Sequence, residues 1–293
     1  MKKFVLFLFI LLVFPATAHG AALESEQVHL QYIPFVTTTT TPSRMEYFSM
    51  TTPWNNADRR IRVYLPENYD GGNQRYPVLY FSDGQVYVGK VEADFIMVGI
   101  DSDWWDRWNE LSPWVNFQME HWWGMSSPRG GLGDDYLAFL VEVKSVIDSR
   151  YRTMPEREYT AKGGASMGGM MAIYASMERS DIFSKALAFS PAVWFGSRDI
   201  HAWISHNNFT DYISQNHAGD VAFWIYVGGR ESHSHECFVI PCPTVGHFPN
   251  IYVHGAQNTS DILGGHFVYN PNGKHYASDF ISHFGHAFDW LGW

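Results

Sequence analysis

The 293-residue chain has only two cysteines, no surplus of positive charge and no apolar run long enough to span a bilayer comfortably. Each shortage excludes something. Twenty Lys and Arg face 30 Asp and Glu, for a net charge of −10. A diffuse acidic balance repels phosphate, so no electrostatic footprint exists for nucleic acid or an anionic membrane surface. The charged fraction, 17%, is too low for a chain that stays disordered. Phe4–Phe14 is an unbroken apolar run of eleven residues, short of the roughly 20 that a membrane-crossing helix needs. There is no internal repeat and no long low-complexity region.

What is present begins with an address. Lys2 and Lys3 precede the Phe4–Phe14 run, and Ala16-Thr17-Ala18 offers small residues at the spacing of a cleavage site, with Ala21-Ala22 as a second option. Residues 1–18, or up to 22, therefore read as a signal peptide, and no cysteine near the cleavage site suggests a lipid anchor. The mature chain is expected to be periplasmic or secreted, soluble, and off the membrane once cleaved. In such an oxidising compartment Cys237 and Cys242 suit a disulfide closing a small loop better than a metal site.

The body of the chain is 46% hydrophobic, enough for one sizeable core. Val28–Phe35 and Arg59–Pro66 alternate like strands, and the second ends at the turn Asn68–Gly72. Short, dense apolar runs follow at Tyr76–Phe81, Phe95–Ile100, Ala186–Phe189 and Val221–Val227. Strands of that kind belong in a parallel sheet covered on both faces. Helical patterns lie between them: Tyr136–Ile147, Gly169–Met177, and Phe280–Leu291 at the end. The alternation predicts a doubly wound α/β architecture, mostly parallel, with an N-terminal antiparallel extension. Residues 23–58 form the extension and 59–293 the main domain.

The strongest local signal is Gly163-Gly-Ala-Ser-Met-Gly-Gly169, which contains Gly-x-Ser-x-Gly at Gly164, Ser166 and Gly168. A β-prone stretch, Glu158–Ala161, precedes it and the helix-forming run Met170–Ala175 follows. A serine at a tight strand-to-helix turn is raised above the sheet, and flanking glycines prevent collisions. The turn also aims the Met167 amide at a developing oxyanion. The plainer reading is a glycine-rich helix start that only packs closely on the sheet.

A serine hydroxyl needs a general base, itself oriented by a carboxylate. After such a serine turn the acid comes next in the chain and the histidine after it. Val221–Val227 leads into Gly228-Gly-Arg-Glu231, which makes Glu231 the first candidate acid and Asp261 the reserve. Among 14 histidines, His275 directly precedes the last helix and is favoured as base. His266 instead begins an alternating stretch that looks like a hairpin strand. The second oxyanion donor is expected from Ser82-Asp-Gly-Gln85, at the Gln85 amide with Gly84 close behind. His233 and His235 have a metal-like spacing, but no metal site is expected. Arg107 is a candidate clamp for a substrate carboxylate or catecholate, or an internal partner of Glu110 or Asp106. Six of the 12 tryptophans lie between Trp104 and Trp123. They form either a wall of a binding cleft or anchors for a long insertion.

At this point the residues resemble the Putative esterase family of α/β hydrolases, which includes enterochelin-type siderophore esterases, feruloyl and acetyl-xylan esterases, S-formylglutathione hydrolases and mycolyltransferase antigens. The carriers are Tyr76–Gln85, Val98–Asp101, Arg107–Pro113, Gly164–Gly169, Phe189–Trp194 and His275 with its following helix. The resemblance implies an α/β-hydrolase fold and a cofactor-free serine esterase working through an acyl-enzyme. Siderophore or carbohydrate and hydroxycinnamoyl esters are the implied substrates. It also makes Trp194 a cleft residue. The stretch between Glu231 and His275 departs from the family pattern. An acyltransferase on the same triad, or a catalytically silent ligand-binding relative, are the alternatives.

Overall fold

In a computed structural model of the chain, the residues described are 41–117, 128–196, 208–216, 219–231 and 251–293. The expected signal peptide, the Val28–Phe35 strand, both cysteines, His233 and His235 lie outside them. Residues 40–293 form one compact unit.

Eight strands make a single sheet: β1 (Arg44–Thr51), β2 (Asp58–Leu65), β3 (Val78–Ser82), β4 (Ile96–Ile100), β5 (Thr160–Ala165), β6 (Lys185–Phe189), β7 (Ala222–Gly228) and β8 (His266–Asn270). Their order across the sheet is β1-β2-β4-β3-β5-β6-β7-β8. β1 and β2 are antiparallel, β2 meets β4 antiparallel, and every later pairing is parallel. The helices are α1 (Gly84–Tyr87), α2 (Arg107–Glu110), α3 (Gly133–Arg150), α4 (Met167–Glu178), α5 (Asn208–Gln215), α6 (Ile251–Leu263), α7 (Ala277–Ile281) and α8 (Phe284–Leu291).

Period-two side-chain geometry explains why the strands read as unbroken apolar runs. Val78 and Tyr80, Ile96 and Val98, Ala186 and Ala188, and Phe223 and Ile225 face one core, which Phe139, Leu140 and Val143 of α3 and Met170 and Ile173 of α4 complete. Their neighbours Leu79 and Phe81, Met97, Leu187 and Phe189, and Trp224 and Tyr226 face the other core, closed by Phe280, Phe284 and Leu291. Both faces are dry, so alternation is hidden in the sequence.

Two elements differ from expectation. The stretch beginning at His266 is not a hairpin strand. It is β8, paired in parallel with β7 from Trp224↔His266 to Gly228↔Asn270. A parallel neighbour requires a crossover, and α6 supplies it. The closing helix is two helices, α7 and α8, with Ser282 and His283 between them.

Candidate active site

All the residues in question lie just past the C-terminal ends of parallel strands, the edge where open α/β sheets place their ligand sites. β3 runs into Asp83, β5 into Ser166, β6 into Ser190, β7 into Glu231, and β8 into the loop carrying His275.

Ser166 has φ 57° and ψ −120°, a left-handed backbone that costs a non-glycine residue about 1–3 kcal/mol. The surroundings hold it there. Its amide donates to Phe189 O at 2.8 Å, and its carbonyl accepts from Gly169, Met170 and Ala192 at 3.0–3.1 Å. The glycines are sterically required. A Cβ on Gly164 would lie 2.2 Å from Gly168 O, and one on Gly168 would sit 3.0 Å from Ser82 Cβ. Met167 opens α4, so its amide has no intrahelical acceptor. Gln85 lies in the first turn of α1, and its side chain is fixed by Nε2–Ser102 O and Ser102 N–Oε1 bonds of 3.1 Å each.

Glu231 and His275 are brought together. Nδ1 of His275 lies 2.8 Å from Glu231 Oε2, and the Glu231 side chain is fully buried. The other oxygen, Oε1, accepts from the Gly228 amide at 2.7 Å and from Ser190 Oγ. The two loops are stitched by Arg230 N–Gly273 O at 2.9 Å and Gly229 N–Asn270 O at 2.7 Å. Gly228 and Gly273 pass so closely that a Cβ on Gly228 would meet Gly273 at 2.5 Å. The other candidates sit elsewhere. Asp261 is exposed on α6 and accepts from Gln257 at 2.8 Å, and His266 is exposed at the start of β8.

Among the described residues no direct hydrogen bond joins Ser166 to His275. Tyr252 of α6 packs against the base, its ring 4.4 Å from the imidazole and tilted by 37°. Burial raises its phenol well above the ordinary range. A chain of ring contacts continues through Trp194, at 6.4 Å from Tyr252, then to buried Phe195 at 6.1 Å and Trp108 at 5.8 Å.

Arg107 is buried, and its partner is neither Glu110 nor Asp106. Nε and Nη2 grip both oxygens of Asp83 at 3.0 and 2.8 Å. Burial works to raise the Asp83 pKa, but the guanidinium outweighs it and holds the carboxyl below its ordinary value. Asp83 itself is left-handed at φ 57°. Beside it Lys162, fully buried in β5, donates to Ser82 Oγ and Gly163 O at 2.7 Å each, and Ser82 also meets Tyr136 Oη at 3.2 Å. Burial lowers the Lys162 pKa to about 7. The tryptophans divide: Trp108 is buried, Trp114 packs among Tyr174, Phe209 and Tyr212, and Trp104 and Trp105 face solvent.

Ser190, Tyr252 and Lys162 were not among the sequence candidates. The one available signal was that Ser190 directly follows a strand, as Ser166 does.

The sequence profile of the Putative esterase family matches residues 53–240. The chain belongs to this family of esterases. The uncharacterized protein YbbA of Bacillus subtilis is 22% identical over 151 residues, 47% of this chain and 58% of that protein. A ferulic acid esterase superposes with a TM-score of 0.59 at 17% identity, covering 85% of this chain and 97% of its own. The enterobactin esterase of Shigella flexneri, solved in the presence of enterobactin, gives 0.63 at 15% identity, covering 85% of this chain and 58% of its own. This chain thus spans little more than half the length of YbbA or of the enterobactin esterase. At these identities the structural likenesses show the α/β-hydrolase fold of this esterase family member.

Proposed function

We propose that the protein is a serine carboxylic-ester hydrolase with Ser166 as nucleophile, His275 as base and Glu231 as orienting acid. The observation that carries this reading is the 2.8 Å bond between buried Glu231 and His275 on the sheet edge that also bears the strained Ser166 turn. Glu231 accepts the Nδ1 proton, so Nε2 is the free acceptor. Nε2 takes the Ser166 proton as Oγ bonds to the ester carbonyl carbon. The amides of Met167 and Gln85 receive the oxyanion, each worth roughly 3 kcal/mol of barrier. The imidazolium returns its proton to the departing alkoxide, and water then releases the acyl group by the same route. No cofactor is needed for these steps.

Aromatic acyl esters are favoured over catecholate siderophores. An iron-bound tri-catecholate is strongly anionic, whereas this chain carries −10 and Arg107 is committed to Asp83. The wall of the site is aromatic, through Tyr252 and Trp194. We further propose export to an oxidising compartment with Cys237 and Cys242 joined, so the denatured, unreduced mature protein should titrate with no free thiol.

The test compares the signal-free protein with Ser166→Ala on p-nitrophenyl butyrate, methyl ferulate and a tri-catecholate lactone. Activity lost in the variant and strongest on the ferulate is expected. Equal activity of the two proteins refutes the triad, and a preference for the tri-catecholate refutes the substrate class.

A further inference from the structure

Two side chains of the segment Asp83-Gly84-Gln85 reach across to the loop that follows β4, one on each side of Gly84. Asp83 is gripped through both carboxylate oxygens by Nε and Nη2 of Arg107, at 3.0 and 2.8 Å. Gln85 donates from Nε2 to Ser102 O and accepts at Oε1 from the Ser102 amide, at 3.1 Å each. Between them Gly84 lies against β4 itself, where a Cβ would stand 2.7 Å from Gly99. The receiving loop is anchored in turn. The Asp101 amide donates to Arg60 O at 3.0 Å, and its carboxylate accepts from Nε and Nη2 of Arg62 at 2.6 and 2.9 Å. Burial accounts for one of the two pairs, because a buried Asp83 needs a partner. It does not account for the other. Gln85 is exposed, and water would satisfy its side-chain amide about as well.

We propose that the Asp83–Arg107 and Gln85–Ser102 pairs are a positioning device for the oxyanion hole, fixing the backbone amide of Gln85 from both sides. The proposal rests on the serine-hydrolase reading above. An oxyanion donor outperforms water only when it is already aimed at the place where charge develops and need not reorganise. The two clamps supply that rigidity, one to the residue before Gly84 and one to the residue after it. Arg107 also has an electrostatic task. Asp83 Oδ2 lies beside the turn that carries the other donor, 3.5 Å from where a Gly168 Cβ would stand. An unpaired carboxylate there would oppose the negative charge growing on the carbonyl oxygen. The guanidinium offsets it, so the aspartate braces the loop without repelling the oxyanion. Neither Arg107 nor Ser102 touches a reacting atom in this scheme; both act through the Gln85 amide.

The experiment measures Gln85→Met and Arg107→Lys on p-nitrophenyl butyrate, with urea unfolding and inhibition by butylboronic acid alongside. The boronic acid adds to Ser166 Oγ as a tetrahedral adduct whose oxygen occupies the oxyanion position. Methionine keeps the length of the side chain and the backbone donor, and removes only the two bonds to Ser102. A misplacement of about 1 Å can cost about 10²-fold in rate, so loosening one of the two clamps is expected to lower kcat about tenfold. KM and the urea midpoint should stay nearly unchanged, and boronate affinity should fall by the same factor as kcat. Arg107→Lys keeps the charge and loses the two-pronged grip, and a smaller loss of the same kind is expected. If Ser166→Ala is inactive while Gln85→Met keeps full kcat and boronate affinity, the proposal fails. A raised KM at unchanged kcat also overturns it, since the Gln85 side chain would then be binding substrate. If Ser166→Ala is as active as the parent, the underlying reading fails instead. Should Gln85→Met unfold, full kcat in folded Arg107→Lys overturns the proposal on its own.

Discussion

Glu231→Gln tests the base–acid pair at a single atom. The carboxylate accepts on both sides: Oε2 from His275 Nδ1, Oε1 from the Gly228 amide and Ser190 Oγ. A glutamine keeps one oxygen and gains an NH2, so one side must lose its acceptor. Turning the NH2 toward Gly228 and Ser190 would set two donors against each other at the Gly228 amide and strand that buried N–H, at about 1–3 kcal/mol, although the Ser190 hydroxyl could rotate to accept. Turning it toward His275 strands none if the imidazole changes tautomer. The second arrangement therefore wins, with Nδ1 accepting and the proton on Nε2. That proton faces Ser166 and blocks its role as base. The same tautomer trap in a well-studied triad costs about 10⁴ in kcat, equivalent to roughly 5 kcal/mol of barrier. Because the glutamine side chain is satisfied, the fold should be little disturbed. Steady-state hydrolysis of p-nitrophenyl butyrate, with urea unfolding as control, reads both quantities. Asp261→Asn, on an exposed helix position where the carboxylate accepts from Gln257, should be indistinguishable from the parent. A Glu231→Gln enzyme within tenfold of the parent, or a collapse of activity in Asp261→Asn, would refute the reasoning.

Two other expectations follow from the buried charges. Arg107→Ala leaves Asp83 buried without its bidentate partner, which typically costs about 3–5 kcal/mol, so the urea midpoint should fall sharply. An unchanged midpoint with KM raised for one anionic ester would restore Arg107 as a substrate clamp. For Lys162 the folded pKa, about 7, lies below the ordinary 10.5. Between these values the unfolded chain holds a proton that the folded one does not, so stability rises with pH across that window and loses this contribution as pH falls through it. Lys162→Met should flatten the rise in unfolding free energy from pH 7 to pH 10, and an identical slope in the variant would refute the assignment.

How much of this was legible depended on the range of the interaction. The strands of the parallel sheet were, because burial on both faces writes itself locally as apolar runs such as Phe95–Ile100. The Ser166 turn was, because its steric demand falls on residues two positions away. From sequence β8 reads as a hairpin strand because α6, with His254, Gly255, Asn258, Thr259 and Ser260 in its length, lacks a strong helical pattern. Had the crossover been visible, a parallel partner for β8 would have followed from geometry alone. Missing α6 also meant missing Tyr252. The Arg107–Asp83 pair spans 24 residues and the Lys162–Ser82 bond spans 80, separations over which sequence offers no periodicity.

The residues that break local rules nonetheless share a place. Of the non-glycine residues with positive φ among those described, Asn56 and Asn68 lie in turns, while Asp83, Ser166 and Ser190 directly follow strands, and serine is a type that does not favour it. Those three end β3, β5 and β6, adjacent strands of the sheet. Lys162, a lysine fully buried in the central strand, lies beneath the same edge. A chain otherwise consistent in propensity, pattern and packing concentrates its exceptions where strain can be held for a purpose. Ser190 shows what the strain does. At φ 43°, with its amide on Tyr226 O at 2.7 Å, its hydroxyl reaches Glu231 Oε1 and helps fix the other oxygen on His275. Relaxing that turn would free the acid to rotate. The backbone distortion after β6 and the hydrogen bond after β7 are thus parts of one device for orienting the base.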